Sequence, residues 1–386
     1  MFQALYNSLS GLFSFSRSLN NVSNNVSNMN TPGFRGSDSF FENVNGGSGT
    51  RISSEGLRTK PGDIRQTGTP TDLANDGNGY FVLRDTNGNF YYTRAGQFRF
   101  DDQGFLVDTA NGYQVMAIDS AGNLSPIDLD AYRTLPPKAT TLVKMVGNIA
   151  PGTPTSSVSS VKVYDASGNL HTLSVTLTDN NAAIPGSYKA VVTDETGATI
   201  GLPGDIRFAT DGTPQAGFNT MPITLVSQGV SLTLTLDFGT PGAFAGATRL
   251  SGTTSTLGAR VEDGHAVLGI TNLSFDEKGI LQLTYSSTEK RQGPQIALAS
   301  FPSESSLHLS GGRLISGTGA QQPVLGRATE GVFGHIAGGS LEMANVDLTQ
   351  EFADMIIIQR GYQASSRVLT VSNEMIEQLY NSIRGG

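Results

Sequence analysis

Apolar residues recur every seven positions at both ends of the chain, and this repeat constrains the fold more than any other feature. The N-terminal rows consist of Leu5, Leu12, Leu19 and Val26, with Phe15, Val22 and Met29 beside them. The C-terminal row consists of Leu341, Leu348, Met355, Tyr362, Leu369, Ile376 and Ile383. A repeat of seven places an apolar stripe along one side of an α-helix. Both ends are therefore predicted to be helical.

Neither predicted helix can bury its stripe against itself, so each stripe needs a partner helix. The two termini are expected to pack together, or against copies of themselves in neighbouring molecules. The expected core and subunit-interface residues are Leu5, Leu12, Phe15, Leu19, Val22 and Val26 at the N-terminal end and Leu348, Phe352, Met355, Tyr362, Leu369, Ile376 and Ile383 at the C-terminal end. The first helix is predicted to end at Asn30-Thr31-Pro32-Gly33, because proline cannot continue the helical hydrogen bonds.

The composition between the two ends favours strands and turns. Charged residues make up only 15% of the chain, against about 25% in typical soluble proteins, while glycine contributes 47 residues. The net charge is −8, and the basic residues form no cluster. Nucleic acid is an improbable partner for such a chain, because phosphate binding requires a concentrated basic surface.

Cysteine is absent, which excludes disulfides, thiolate catalysis and cysteine-bound metal. No segment approaches the roughly 18 apolar residues that a membrane span needs. The N-terminus also lacks the basic start and apolar run of a signal peptide. If the protein leaves the cytoplasm, we expect a route that uses no cleaved leader.

An Asp-x-x-Gly phrase occurs six times between segments in which apolar and polar residues alternate. The phrases begin at Asp85, Asp101, Asp119, Asp165, Asp194 and Asp276. Aspartate starts a tight turn with its side chain and glycine ends the turn at positive φ, so each phrase predicts a hairpin. Six hairpins with alternating flanks predict antiparallel β structure.

The fold class is therefore mainly β with terminal α-helices. We expect two antiparallel β domains, an inner discontinuous one and an outer inserted one, on a stalk of paired N- and C-terminal coiled-coil helices. The predicted ranges are 1–30 and 345–386 for the helical core, 31–70 and 327–344 for an irregular connector, 71–147 and 258–326 for the inner domain, and 148–257 for the outer domain.

Candidate catalytic and metal sites are few. The four histidines, His171, His265, His308 and His335, show no metal-binding spacing. The loop at Asp85 resembles the start of a calcium loop, but its twelfth position is a glycine, which favours a hairpin.

Two carboxylates one helical turn apart, Asp347 and Glu351, could form a paired acid site. We favour instead a helix cap at Asp347 with Glu351 in the first turn. No enzymatic activity, metal or cofactor is predicted.

Three phrases resemble the bacterial flagellar rod and hook protein family. The N-terminal phrase Asn24-Asn25-Val26-Ser27-Asn28-Met29-Asn30-Thr31-Pro32-Gly33-Phe34-Arg35 is similar to the family's first signature. The second similarity is a C-terminal phrase that includes Asn345, Val346, Asp347, Gln359, Arg360 and Tyr362. The phrase Leu73-Ala74 with Asp76-Gly77-Asn78-Gly79-Tyr80-Phe81 resembles the family's first β-domain motif, although Asn75 stands where members usually carry an apolar residue.

Two internal segments favour the hook branch of this family over the rod branch. Residues 161–171 resemble part of a hook outer domain, and residues 292–301 also look hook-like. The resemblance implies a structural subunit that assembles into a curved tubular polymer, transmits motor torque to the filament and encloses the export channel. The alternative within the family is a distal rod-like subunit or a hook–filament junction component.

The same resemblance implies partners and location. The expected partners are copies of the same chain in a homo-polymer, the adjoining rod and hook–filament junction proteins, and, during assembly, the hook cap and the type III export apparatus. The expected location is the extracellular flagellum, in the hook of the basal body, after export in the unfolded state.

Overall fold

The computed structural model describes residues 2–44, 49–227, 229–252, 254–303, 307, 309–310, 313–315 and 322–384. The chain divides into two compact units. The terminal unit comprises Met1–Tyr132 and Thr271–Gly386, and the inserted unit comprises Arg133–Ile270.

Two long helices begin and end the described chain. Helix α1 spans Phe2–Ser27 and helix α2 spans Leu348–Arg384. Neither carries a stretch long and apolar enough to cross a membrane. The first ten strands follow α1: β1 Ser37–Asn43, β2 Thr50–Leu57, β3 Ile64–Gln66, β4 Leu73–Asp76, β5 Tyr80–Arg84, β6 Phe90–Thr93, β7 Phe98–Phe100, β8 Leu106–Asp108, β9 Gln114–Ile118 and β10 Leu124–Pro126.

A 3-10 helix at Asp130–Tyr132 precedes the inserted unit. Its strands are β11 Thr134–Leu135, β12 Leu142–Asn148, β13 Thr155–Tyr164, β14 Leu170–Asp179, β15 Ser187–Thr193, β16 Thr199–Arg207, β17 Thr220–Ser227, β18 Val230–Asp237, β19 Ala247–Thr248, β20 Gly258–Val261 and β21 Leu268–Gly269. The terminal unit resumes with β22 Asn272–Phe275, β23 Ile280–Thr284, β24 Lys290–Gln295, β25 Leu298–Ser300, β26 Leu309–Ser310, β27 Leu314–Ile315, β28 Val324–Gly326, β29 His335–Gly338 and β30 Ser340–Glu342.

The largest sheet of the terminal unit is built around β5. Strand β5 pairs with β6, β9 and β25, and four of its five residues are buried. Other buried residues of this sheet include Leu106 and Met116, and the Phe81 ring meets the Phe98 ring edge to face at 5.2 Å. Successive residues of a strand point to opposite faces, so the burial of all four residues of Tyr80-Phe81-Val82-Leu83 shows that both faces of β5 are covered.

The inserted unit contains two main sheets that share one apolar core. One sheet has the order β17-β18-β12-β19 with β20 beside β12, and the other has the order β13-β14-β15-β16. Alternate residues of each strand enter the core, for example Leu173, Val175 and Leu177 of β14. The predicted mainly β chain with terminal helices is confirmed. Two pairings, β12 with β18 and β12 with β19, are parallel rather than antiparallel.

The inserted unit is wider than the range 148–257 predicted for the outer domain. Strand β12, which the sequence reading assigned to the inner domain, pairs with β18, β19 and β20 and buries Val143 and Met145 in the same core. The segment predicted as an irregular connector at 31–70 also differs, because it contains the β1–β2 hairpin and strand β3. Of these strands the sequence indicated only short extended pieces such as Thr50-Arg51-Ile52, because the residues show little alternation of apolar and polar types.

All six predicted Asp-x-x-Gly turns are present and share one geometry. In each, the glycine N–H donates to the aspartate carbonyl, and the glycine has positive φ, for example 84° at Gly168. In each, the aspartate side chain also accepts from backbone N–H groups two and four residues on, as Asp165 does at 2.8 and 2.9 Å. The carboxylate of Asp85 is used by its own turn in this way, which confirms the hairpin interpretation of that loop.

Asp165 provides a test of how much such a turn contributes. Burial alone would raise the pKa of Asp165, but hydrogen bonds from Asn169, His171 and Ser167 outweigh it and lower the pKa to about 2. A lowered folded-state pKa contributes stability above the ordinary pKa, and that stability is lost as the pH falls through the folded value. Asp165→Asn should therefore destabilise the chain by about 1–2 kcal/mol at neutral pH and progressively less towards pH of about 2.

Urea unfolding followed by circular dichroism at several pH values measures this difference. The matched control is Glu195→Gln, an exposed carboxylate inside another of the six turns. A loss of stability in Asp165→Asn that is the same at neutral and acid pH would contradict the argument.

Candidate functional site: the paired terminal helices

The two terminal helices pack against each other in antiparallel orientation, as expected from their stripes. Asn25 of α1 contacts Glu351 of α2, since its Nδ2 donates to Oε2 at 3.2 Å. Fourteen residues earlier on α1 and fourteen later on α2, Gly11 lies against Ser365. The two helices therefore keep one register over at least four turns.

Small residues form the contact face. A Cβ added at Gly11 would lie 3.0 Å from Ser365 Oγ, and one added at Gly361 would lie 2.6 Å from Phe15 Cζ. The buried positions of α1 are Ser8, Gly11, Ser14, Ser18, Val22 and Asn25, and those of α2 are Glu351, Ile358 and Ser372. Buried hydroxyls are satisfied by nearby carbonyls, for example Ser8 Oγ donating to Leu5 O at 2.9 Å.

The larger predicted contact residues flank this small-residue face. On α1, Val22 is buried, and Leu5, Leu12, Phe15, Leu19 and Val26 are half-buried. On α2, Met355, Leu369 and Ile376 are half-buried, whereas Leu348, Phe352, Tyr362 and Ile383 are exposed. Leu341 does not belong to the helix, because it lies in β30 and α2 starts seven residues later. The role of these side chains in contacts between subunits stays a prediction.

A second apolar row on α2 lies on the flank of the helix beside the face that contacts α1, about 80–90° around the helix axis. It consists of the exposed residues Ile357, Val368, Val371, Met375 and Leu379. At 100° per residue these five side chains lie on one flank of the helix, within about 80° of one another. Exposed apolar residues also occur on α1: Tyr6, Leu9 and Phe13. We call the α2 set the outer row.

A buried polar group joins both helices to the β1–β2 hairpin. The Glu351 carboxylate is fully buried and accepts from Arg58 Nη1 at 2.6 Å and from Asn25 Nδ2 at 3.2 Å. Asn25 Nδ2 also donates to Ser37 O, and the Ser37 N–H donates back to Asn25 Oδ1 at 3.1 Å. We call Asn25, Arg58 and Glu351 the polar lock.

Arg58 is held by two carboxylates. Besides Glu351, it donates to Asp38 Oδ1 from Nε at 3.0 Å and from Nη2 at 2.8 Å. Burial favours the neutral guanidine, but the hydrogen bonds and charges of Asp38 and Glu351 outweigh it and raise the pKa of Arg58. The guanidinium therefore stays charged and satisfies the buried Glu351.

A second buried ionic group lies at the end of β30. Glu342 Oε1 is 3.0 Å from Arg35 Nη2, and Glu342 Oε2 is 3.5 Å from Arg94 Nη1. These three side chains are at most 3% exposed. The Gly62 N–H also donates to Glu342, and the Gly33 N–H donates to the Glu342 carbonyl. The segment after α1 and the segment before α2 are thus joined through one carboxylate and its backbone.

The signature residues that follow α1 serve mainly to direct the chain. Gly33 has φ +71°, and a Cβ there would lie 2.2 Å from the Ala95 nitrogen, so only glycine fits. Phe34 is buried. Asn28 Nδ2 donates to Asn24 O, and Thr31 Oγ1 donates to Asn28 Oδ1. Asn30 is exposed, and Pro32 is half-buried.

The signature residues that precede α2 have similar roles. Asn345 Oδ1 accepts from the Gly36 N–H, and its Nδ2 donates to the carbonyls of Arg58 and Lys60. Asp347 Oδ1 accepts from the N–H groups of Thr349 and Gln350, which confirms the predicted helix cap. Val346 is half-buried. The remaining signature residues, Gln359, Arg360 and Tyr362, lie within α2 and are exposed.

Asn75, the departure from the family phrase, is buried and closes its own turn. Its Nδ2 donates to the carbonyls of Asn78 and Gly79 at 3.0 and 2.9 Å. Its carbonyl accepts from Arg94 Nη1. The Asn75 side chain therefore stabilises the turn that follows it. The Asn75 backbone carbonyl also binds Arg94, the residue that contacts Glu342.

The described histidines have local partners. His171 Nε2 lies 3.2 Å from Asp165, His335 Nε2 lies 3.3 Å from Asp76, and His265 Nδ1 lies 2.7 Å from the Ala266 carbonyl. His308 lies outside the described residues. Within the described part of the chain, no three acidic or histidine side chains are grouped so as to hold a metal ion.

Gly361→Ala should weaken the helix pair, because the new methyl group would lie 2.6–2.9 Å from three atoms of the Phe15 ring. We expect a loss of about 1–3 kcal/mol from overpacking, partly offset by about 1 kcal/mol of helix propensity. Thermal unfolding followed by far-ultraviolet circular dichroism measures it. Thr370→Ala, on the exposed side of α2, is the control for helix propensity, although it also removes the hydrogen bond from Thr370 Oγ1 to the Ser366 carbonyl. Phe15→Leu should restore stability to Gly361→Ala. A Gly361→Ala chain more stable than Thr370→Ala would contradict the close packing.

Glu342→Ala should cost about 3–5 kcal/mol in urea unfolding, since it leaves Arg35 and Arg94 buried without their carboxylate. The control is Glu55→Ala, whose partner Arg17 is 67% exposed, and we expect a change within about 1 kcal/mol. Equal losses of unfolding free energy from the two substitutions would contradict a larger contribution from the buried ionic group.

Comparison with known proteins matches family models over almost the whole chain. Residues 5–35 match a model described as flagella basal body rod protein, and residues 74–149 match the flagellar hook protein FlgE/F/G D1 domain. Residues 134–350 match the flagellar basal body protein FlaE D2 domain, and residues 337–382 match the flagellar basal body rod FlgEFG protein C-terminal model.

Full-length relatives are also found. The chain is 27% identical to the flagellar hook protein FlgE of Borreliella burgdorferi, with 98% of this chain and 99% of the relative covered. It is 29% identical to the protein of the same name from Rhizobium meliloti, with 97% of each covered. A crystal structure of Helicobacter pylori flagellar hook protein FlgE2 covers 74% of this chain and all of its own chain, with 17% identity and a TM-score of 0.47.

One family model spans more than half of the chain, and the other three cover most of what remains on either side. Their order along the chain follows the order of helix, β structure and helix described above. The chain belongs to the flagellar hook and basal-body rod protein family.

Proposed function

We propose that this chain is a structural subunit of the flagellar hook, which self-assembles into a curved tubular polymer. The curated relatives that span it from end to end carry the name flagellar hook protein. The role is mechanical: the polymer transmits motor torque to the filament and encloses the export channel. No catalytic activity is part of this proposal.

The outer row carries the proposal. Helices α1 and α2 already cover each other along the small-residue face, yet α2 still exposes Val368, Val371 and Met375 on another flank. Exposed apolar side chains in a row are typical of a protein contact surface. A row that meets a different surface on the next copy makes a heterologous contact, and such contacts build open helical polymers.

The remaining face of α2 suits a water-filled channel. Along residues 359–381 its exposed residues are polar or charged, namely Gln359, Gln363, Arg367, Thr370, Glu374 and Asn381, whereas Phe352 and Ile356 nearer the start of the helix are exposed and apolar. At 100° per residue these side chains lie on one side of the helix, away from both α1 and the outer row. In the proposed tube the helix pair therefore forms the inner wall and the β structure lies outside it.

A distal rod-like subunit or a hook–filament junction component is the alternative within the family. It is not favoured, because the relatives that match the entire chain, including the inserted unit, carry the name hook protein. The inserted unit is the part that distinguishes the possibilities, since both termini match models described for rod proteins.

The proposed setting follows from this function. The polymer lies outside the cell in the flagellum and adjoins the rod on one side and the hook–filament junction on the other. Subunits reach the growing tip through the type III export apparatus, in the unfolded state and without a cleaved leader, and assemble beneath the hook cap.

Val371→Glu should abolish polymer formation while leaving the helix pair folded, because it puts a charge in the outer row but lies away from α1. Thr370→Glu is the matched control, since it adds the same charge one residue away and about 100° around the helix. Electron microscopy of assembled tubes, with light scattering for assembly rate, measures the result. Normal tubes from Val371→Glu, or loss of tubes from both variants alike, would contradict the proposed contact.

A further inference from the structure

The contact face of the helix pair repeats, and this raises the question of what sets its register. Ala4, Gly11, Ser18 and Asn25 lie seven residues apart on α1, and Glu351, Ile358, Ser365 and Ser372 lie seven apart on α2. In the structure Asn25 meets Glu351 and Gly11 meets Ser365. A slip of one heptad would place Ile358 or Ser372 against Gly11, so packing at this position discriminates weakly between registers, whereas Phe15 would lose its close fit to Gly361.

We propose that the polar lock is the element that selects the register of the two helices. In a slipped pair, Glu351 would move about 10 Å along α1, away from Asn25 and Arg58. Its carboxylate is fully buried in the observed register and is satisfied there by those two residues. A buried polar contact at one position of a repeat is a well-attested device for register selection, because the alternative leaves a buried charge without a partner.

The position of Arg58 strengthens this assignment. Arg58 follows β2 directly, and the β1–β2 hairpin is held to α1 through Ser37 and Asn25. Arg58 is therefore fixed relative to α1 and supplies a reference for Glu351 that does not move with α2. Asp38, which also binds Arg58, is half-exposed and stays solvated in a slipped state. The free-energy cost of slippage therefore arises mainly from the buried Glu351 carboxylate, which would lose its two partners.

The effect of the register on assembly rests on the proposed function. In the proposed polymer, a slipped α2 would displace its outer row by about 10 Å relative to neighbouring copies. The register itself is a property of one chain. It can be measured whether or not a polymer forms, so failure of the lock and failure of the proposed function are distinguishable.

Disulfide trapping measures the register directly, since the natural chain has no cysteine. Ser365→Cys is combined with Gly11→Cys for the observed register, because the Cβ atoms would be 3.7 Å apart, well suited to a disulfide. Ser365→Cys combined with Ala4→Cys or Ser18→Cys reports slippage by one heptad in either direction. With the lock intact, the Gly11 pair should oxidise to an intrachain disulfide at least about tenfold faster than the other two.

The test variant replaces the lock with apolar side chains, Glu351→Met with Arg58→Met, so that burial is retained but the polar selection is removed. Slipped disulfides should then rise to within about threefold of the Gly11 pair. Glu351→Gln should give an intermediate ratio. The matched control is Arg17→Met with Glu55→Met, which removes an exposed ion pair between the same helix and the same hairpin.

Two results would overturn the proposal. One is a lock variant, folded by circular dichroism, that still forms only the Gly11 disulfide, which would mean that the short links at 28–33 and 343–347, or the packing of Phe15 on Gly361, set the register without the lock. The other is a chain with an intact lock that forms slipped disulfides, or no Gly11 disulfide at all.

Discussion

The close approach of the two terminal helices is the interaction on which the rest of the terminal unit depends. It is possible because glycine and serine occupy the shared face, where Gly11 meets Ser365 and Gly361 meets the Phe15 ring. Bulky side chains at these positions would separate the backbones and break the polar contacts at Asn25 and Glu351. Because small residues occupy the shared face, larger residues such as Leu5, Leu12 and Leu19 lie at its sides, where they are half-buried.

The sequence predicted the existence of this pair but not its detailed contact. The heptad rows indicated two helices and a shared stripe, and the helix limits near Pro32 and Asp347 followed from local chemistry. The small-residue row was missed because an apolar search ignores serine and glycine. Its signal was present in the spacing of Ala4, Gly11, Ser18 and Asn25.

The β structure likewise has features that the sequence predicted and features that it did not. Each Asp-x-x-Gly phrase dictates its own turn through contacts within five residues, so all six hairpins were predictable. The limits of the inserted unit were not, because the place of β12 depends on pairing with β18 and β20, some ninety to a hundred and twenty residues away. The polar lock and the Glu342 group were hidden for the same reason. Buried ionic groups assembled from distant segments leave no periodic pattern, and only Asp347 and Glu351 were noticed, as a possible acid pair or a cap.

The distance along the chain between the lock residues has a further consequence for how the molecule is made. Asn25 and Glu351 are separated by 326 residues, and closure of the terminal unit needs residues from both ends. A chain that is still emerging from a ribosome or a narrow passage lacks the partner of its own N-terminus until almost the last residue is free. The inserted unit, whose contacts lie within Arg133–Ile270, has no such requirement. The order of the chain therefore delays closure of the terminal unit, which is complete only once nearly the whole chain is available.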